Sequence, residues 1–149
     1  MTLVRGRVLA LDLGDARIGL ALSDELGFTA QPAGNLARTG SREVVRAVAK
    51  LVAGHGVSRI VVGHPLHLSG EEGERARDAR ETARRLEASL SVPVELWDER
   101  LTTAEAERAL IEGGVRRARR REVVDSLAAV LILQSWLSAH PLDGQPTEG

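Results

Sequence analysis

The chain contains no cysteine and no tyrosine, a single lysine, and only three aromatic residues, Phe28, Trp97 and Trp136. The missing cysteines exclude a disulfide framework, a thiolate zinc site and a thiol nucleophile. So few aromatics leave no platform on which single-stranded bases could stack, so any nucleic acid would be read through its backbone and shape. No segment approaches the ~20 apolar residues that cross a bilayer, and Met1–Arg5 does not have the arrangement of a signal peptide. The expectation is a cytoplasmic protein without membrane contact. There is no low-complexity tract and no internal repeat.

What is present is ordinary for a globular domain. The 149 residues are 43% hydrophobic and 28% charged, enough to bury one core. The reading is one domain over residues 1–139, followed by a disordered tail over 140–149 that carries two prolines and two glycines. The net charge of −1 conceals an uneven distribution. Between Arg100 and Arg121 seven arginines face three glutamates, and five of the six residues from Arg116 to Arg121 are Arg. Such a cluster on a near-neutral protein can hold phosphates without making the whole surface adhesive; a solvated loop is the plainer explanation.

Periodicity gives the order of elements. Arg7 to Asp12 reads as a strand whose apolar run, Val8 to Leu11, implies burial on both faces. Arg17 to Ser23 alternates, with Ile18, Leu20 and Leu22 on one side and Gly19 and Ala21 on the other. Phe28 to Leu36 is a weaker strand, placed at an edge by Pro32. A helix capped by Ser41 follows, then a short strand over Ser58–Gly63. Ser69-Gly70-Glu71-Glu72 has the form of a capping box opening a second helix, and Pro93–Trp97 is a fifth strand. Thr102–Glu105 forms another capping box, opening a helix to about Glu112. After a basic loop, an apolar helix is expected from about Glu122 to Ser138. The result is an α/β fold with a mixed five-stranded sheet flanked by helices: strands 1–3 form an antiparallel meander and strands 1, 4 and 5 are parallel.

Three acidic positions carry the chemistry. Asp12 ends the first strand, and Asp98 and Glu99 lie just past the fifth, at the carboxyl ends where open α/β sheets gather ligands. Asp125 is the only charged residue from Val123 to Ala139; either the helix dipole or a bound cation accounts for it. Each acid alone has a structural explanation, but together they converge on one side of one sheet. Hard oxygen ligands without cysteine suit Mg²⁺ or Mn²⁺, and two such ions promote phosphodiester hydrolysis. Arg17, Arg100 and the Arg116–Arg121 loop (Arg116, Arg117, Arg119, Arg120, Arg121) would draw in the polyanion. His64 and His67 have H-x-x-H spacing, but no further zinc ligand is near in sequence.

Four strings, LALDLGDARIGLALSD at 9–24, IVVGHPLHLSG at 60–70, DERLTTAEAERAL at 98–110 and VVDSLAAVLILQSWL at 123–137, resemble the YqgF-type proteins. These are bacterial nucleases of RNase H-like fold, associated with Holliday-junction resolution and with pre-16S rRNA maturation. The resemblance runs from about residue 7 to 138. It implies a catalytic and metal-binding set of Asp12, Glu99 and Asp125, of which Asp98 could exchange roles with Glu99, although strand alternation sends those two to opposite sides. Thr102 and Thr103 match the family's TT pair, with Thr102 read as a helix cap first and a phosphate contact second. Ala16 departs from the lysine such proteins carry in a G-x-K-R-x-G string, while Arg17 and Gly19 remain.

The expected activity is metal-dependent endonucleolytic hydrolysis of structured nucleic acid, with 5′-end processing of pre-16S rRNA in ribosome biogenesis slightly favoured. The alternative is a four-way DNA junction in recombination and repair, which requires paired cuts and hence a homodimer. A binding module that has lost catalysis is the competing class; retention of all three acids argues against it.

Overall fold

The computed structural model describes residues 6–102 and 117–141, with side chains for all of these except 117–125. Strands β1 (Arg7–Leu13), β2 (Arg17–Ser23) and β3 (Ala30–Ala37) precede helix α1 (Ser41–His55), β4 (Val57–His64), α2 (Glu74–Ser89) and β5 (Val94–Asp98). A 3-10 turn (Glu99–Leu101) leaves β5, and α3 spans Arg117–Ala139. The strands lie in the order β3-β2-β1-β4-β5. β2 pairs antiparallel with β1 and β3, and β4 pairs parallel with β1 and β5. The mixed sheet expected from periodicity is therefore present.

Side-chain alternation divides the interior into two layers. On one face Leu9, Leu11 and Leu13 of β1, with Ile18, Leu20, Ile60 and Val62, pack against Val44 and Val48 of α1 and Ala79 and Leu86 of α2. On the other, Val8, Ala10, Ala21 and Val61 meet Ala129, Ile132, Leu133 and Trp136 of α3. Because Val8 to Leu11 are at most 1% exposed, β1 is the fully covered central strand. β3 is the edge, where Pro32 opposes Ala21 beside a register irregularity and its missing N–H costs the ladder least.

Strand ends shift by one or two residues, and four differences from the sequence reading bear on the site. Helix α1 is capped by Gly40 rather than Ser41, with no side-chain cap bond. Helix α2 starts at Glu74, with Gly73 as its cap; Ser69 Oγ instead accepts from the Glu71 amide (3.3 Å) in a turn through Gly70, whose φ of +93° no helix entry accommodates. The arginines from Arg117 to Arg121 are helical, not a loop, as expected of strong helix formers with no breaker after Gly114. Asp98 is the last residue of β5 rather than a residue beyond it. The helix expected to about Glu112 lies outside the described residues. Within them, no helix is long and apolar enough to cross a membrane.

Candidate active site

Asp12 is 4% exposed on β1. It follows Val8 and Ala10 on the face covered by α3, and strand pairing sets it opposite Gly19. On its other side, the parallel register that matches Leu11 with Val62 brings Gly63 to the same level. Asp12 is thus flanked by residues without side chains, which leaves room around a buried carboxylate.

That room is where Glu99 arrives. A Cβ on Gly63 would lie 2.5 Å from Glu99 Oε2 and 2.6 Å from Ile132 Cδ1. Any other residue at 63 would displace the carboxylate or the helix, so glycine is a condition of the arrangement. The Glu99 backbone is held by Thr102, whose amide and Oγ1 both donate to the Glu99 carbonyl (3.0 and 2.9 Å). Thr102 therefore closes the 3-10 turn.

Asp98 faces the other way, towards α2, opposite His64 in the β4–β5 register. Arg100 grips it with Nε to Oδ1 and Oδ2 (both 3.0 Å) and Nη2 to Oδ2 (2.7 Å), and the Arg100 amide donates to Oδ1 at 2.9 Å. The Arg100 side-chain hydrogen bonds hold the Asp98 carboxyl below the usual carboxylate range. Partial burial opposes this, while the Arg100 amide and the charges of Arg100 and His64 add to it. Of the two neighbouring acids, Glu99 shares a face with Asp12 and Asp98 is engaged elsewhere.

Helix α3 runs antiparallel to β4: Ile132 lies by Gly63, while Trp136 lies nearer the strand's start, 5.6 Å beneath the Arg59 guanidinium. Ser126 Oγ donates to the Leu20 carbonyl (3.3 Å), which pins the early part of the helix over β2, one residue from the partner of Asp12. The backbone of Asp125 belongs to that turn of α3, and those of Arg117, Arg119, Arg120 and Arg121 to the turns before it. Their side chains, together with Thr103 and Arg116, lie outside the described residues. Arg17 opens β2, where its carbonyl accepts from the Gly14 amide (2.8 Å). A Cβ on Gly14 would meet that carbonyl at 2.8 Å, so Gly14 serves the hairpin turn.

Two arginines not singled out from the sequence reach the same edge. Arg75 Nη2 donates to the Leu13 carbonyl (3.1 Å) and Arg38 Nη1 to the Gly14 carbonyl (2.8 Å); Arg38 is braced by Asp78 at 2.6 Å. They come from 62 and 24 residues away in sequence, so no local pattern announces them. Gly63 did carry a signal, as the glycine that follows the apolar run Ile60–Val62. His64 Nε2 pairs with Glu72 (2.9 Å), which also binds Arg80 (2.8 Å). Among the described residues no group of three or more His, Asp or Glu comes together as a metal site, so the H-x-x-H spacing has no third ligand there.

The profile of the family described as "RuvX: Holliday junction resolvase" matches residues 6–139. A protein of Pelotomaculum thermopropionicum named "Putative pre-16S rRNA nuclease" is 52% identical over 134 residues, 89% of this chain and 87% of that one. One of the same name from Myxococcus xanthus is 50% identical over 134 residues, 90% of this chain and 89% of that one. Among solved structures, Thermus thermophilus RuvC in complex with a Holliday junction substrate superposes with a TM-score of 0.59 at 13% identity, covering 93% of this chain and 98% of that chain. Another T. thermophilus RuvC structure gives 0.55 at 14% identity, covering 91% and 98%. That likeness shows the fold alone, the RNase H-like sheet. On the sequence matches, the chain belongs to the RuvX family of nucleases.

Proposed function

We propose that this chain is a divalent-metal-dependent endonuclease whose ligands are Asp12, Glu99 and Asp125. The observation that carries the proposal is the placement of a buried Asp12 and the Glu99 carboxylate on one face, with glycines 19 and 63 beside them. Position 125 is supported by its spacing, four and seven residues before Ala129 and Ile132 of the α3 layer, and by the Ser126 bond to Leu20. The all-oxygen donor set fits Mg²⁺ or Mn²⁺. A divalent cation there supplies Lewis acidity towards the phosphate and an activated water.

The protein's own part is to hold the carboxylates in register on the face covered by α3. Arg17 and the arginines from Arg116 to Arg121, with Thr103, are proposed to bind phosphates along the approach. Arg38 and Arg75, seated on the turn after Asp12, steady the loop that the backbone of the substrate would pass. The names of the relatives favour pre-16S rRNA as the substrate; processing of its 5′ end, in the cytoplasm, is our reading. The family description favours a four-way DNA junction as second reading, for which a C2 dimer would supply paired cuts.

The test is cleavage of a labelled precursor-rRNA 5′ fragment and a synthetic four-way junction, with Mn²⁺, Mg²⁺ or EDTA, by native protein and Asp12→Asn. Metal-dependent cuts lost in the variant support the nuclease, and the substrate cut chooses between the two roles. Binding without cleavage under every metal would transfer the assignment to a non-catalytic module.

A further inference from the structure

Arg100 is the basic residue nearest the candidate site in sequence, and a phosphate contact is the first role it suggests. Its geometry describes different work. Three side-chain contacts of 2.7–3.0 Å tie the guanidinium to Asp98, and Nη1 donates to the Leu68 carbonyl at 3.2 Å. One arm therefore holds the end of β5, and the other holds the loop that leaves β4.

These are the two segments that bracket Gly63, where the Glu99 carboxylate lies. The loop is organised in its own right: the Gly70 amide donates to the His67 carbonyl (2.8 Å) and the His67 amide to the Glu71 carbonyl (3.0 Å). Leu68, 92% exposed, has little packing to hold the loop, so the bond at its carbonyl is the tie to β5. Glu99 sits between Asp98 and Arg100, so the pair spans it and restricts the φ/ψ freedom of the turn that aims it.

We infer that Arg100 is a positioning residue for Glu99, a strap from Asp98 to the Leu68 carbonyl, rather than a phosphate clamp. This rests on the nuclease reading for its kinetic consequence but not for its geometry. The planar fork is essential, because Nε and Nη2 reach Asp98 while Nη1 reaches Leu68, a spread of donors that the single nitrogen of a lysine does not reproduce. An exposed ion pair contributes little to global stability, whereas a displacement of about 1 Å at a reacting centre costs on the order of 10²-fold in rate.

The experiment compares Arg100→Gln, Arg100→Lys, Asp98→Asn and the Arg100→Gln/Asp98→Asn double variant. It reads kcat, KM and their salt dependence on whichever substrate the native protein cuts, with saturating Mn²⁺. Separately, amide hydrogen exchange is followed at Gly70 and Thr102 in the metal-free proteins, each first shown to be folded by its thermal transition. The expected result is a kcat about 10²-fold lower in Arg100→Gln and in Asp98→Asn, with KM within about threefold. The double variant is no worse than the poorer single one, lysine does not rescue, and exchange at Gly70 and Thr102 is faster. A raised KM and a shallower salt dependence with kcat intact, rescued by lysine and absent from Asp98→Asn, would overturn the strap in favour of a phosphate contact. Unchanged exchange in Arg100→Gln would overturn it too. If the native protein cuts neither substrate, the nuclease reading fails, and exchange alone still decides the strap.

Discussion

The two faces of the sheet are built to different specifications. Beneath α1 and α2 the buried positions of β1 and β4 up to Val62 are bulky aliphatics: Leu9, Leu11, Leu13, Val57, Ile60 and Val62. Beneath α3 the corresponding strand positions are Val8, Ala10, Ala21 and Val61, and they give way to Gly19, Asp12 and Gly63 at the carboxyl end. One face gains stability from buried volume. The other gives up volume so that a helix can approach closely and two carboxylates can share the space that remains. A buried carboxylate costs several kcal/mol unless something compensates it, and the aliphatic face carries the stability against which that cost is set.

The comparison is open to attack by mutation. The largest expected effect is on activity alone: Asp12→Asn or Glu99→Gln lowers cleavage by about 10³-fold or more and leaves the thermal midpoint unchanged or higher, as read by cleavage with Mn²⁺ and by a melting scan. A parallel loss of fold would mean that these acids belong to the core rather than to a site. Next, Leu11→Ala, on the opposite face from Asp12, costs about 2–5 kcal/mol by denaturant unfolding, while the folded fraction keeps its specific activity. Gly63→Ala tests the border between the faces. Its Cβ would press on Glu99 and Ile132, so we expect both a loss of about 1–3 kcal/mol and a fall of about 10²-fold in cleavage. A normal rate in that variant would show that Glu99 need not lie over β4. The smallest effect belongs to Ser126→Ala, which removes the 3.3 Å bond to Leu20. It should cost about 1 kcal/mol and lower the rate a few-fold through the turn that carries Asp125.

Much of this contrast is legible in the amino-acid sequence. The apolar run at Val8–Leu11 and the alternation Ile18, Leu20, Leu22 against Gly19 and Ala21 predict a central strand and its neighbour, because period-two burial is written locally. The order of elements follows, and with it the mixed topology. Boundaries are less legible. Ser69-Gly70-Glu71-Glu72 reads as a capping box, yet a positive φ at Gly70 turns the chain away, and the helix waits for Glu74. Arg117 to Arg121 read as a loop by charge, although residues of that type are helix formers when packing further along the chain commits the segment.

The candidate site divides in the same way. Asp12 and Glu99 are identifiable from the chain as acids at strand ends, because the sheet's carboxyl edge follows from the order of strands and helices. That Glu99 rather than Asp98 shares the face of Asp12 depends on the exit from β5, where the 3-10 turn, Thr102 and Gly63 together aim one carboxylate while Arg100 takes the other. Arg38 and Arg75 reach the turn after Asp12 from 24 and 62 residues away, and no local pattern encodes a contact of that range. Periodicity and turn chemistry act over a few residues and are readable as letters. Which side chains meet across strands depends on register and packing, and those exist only once the chain has closed on itself.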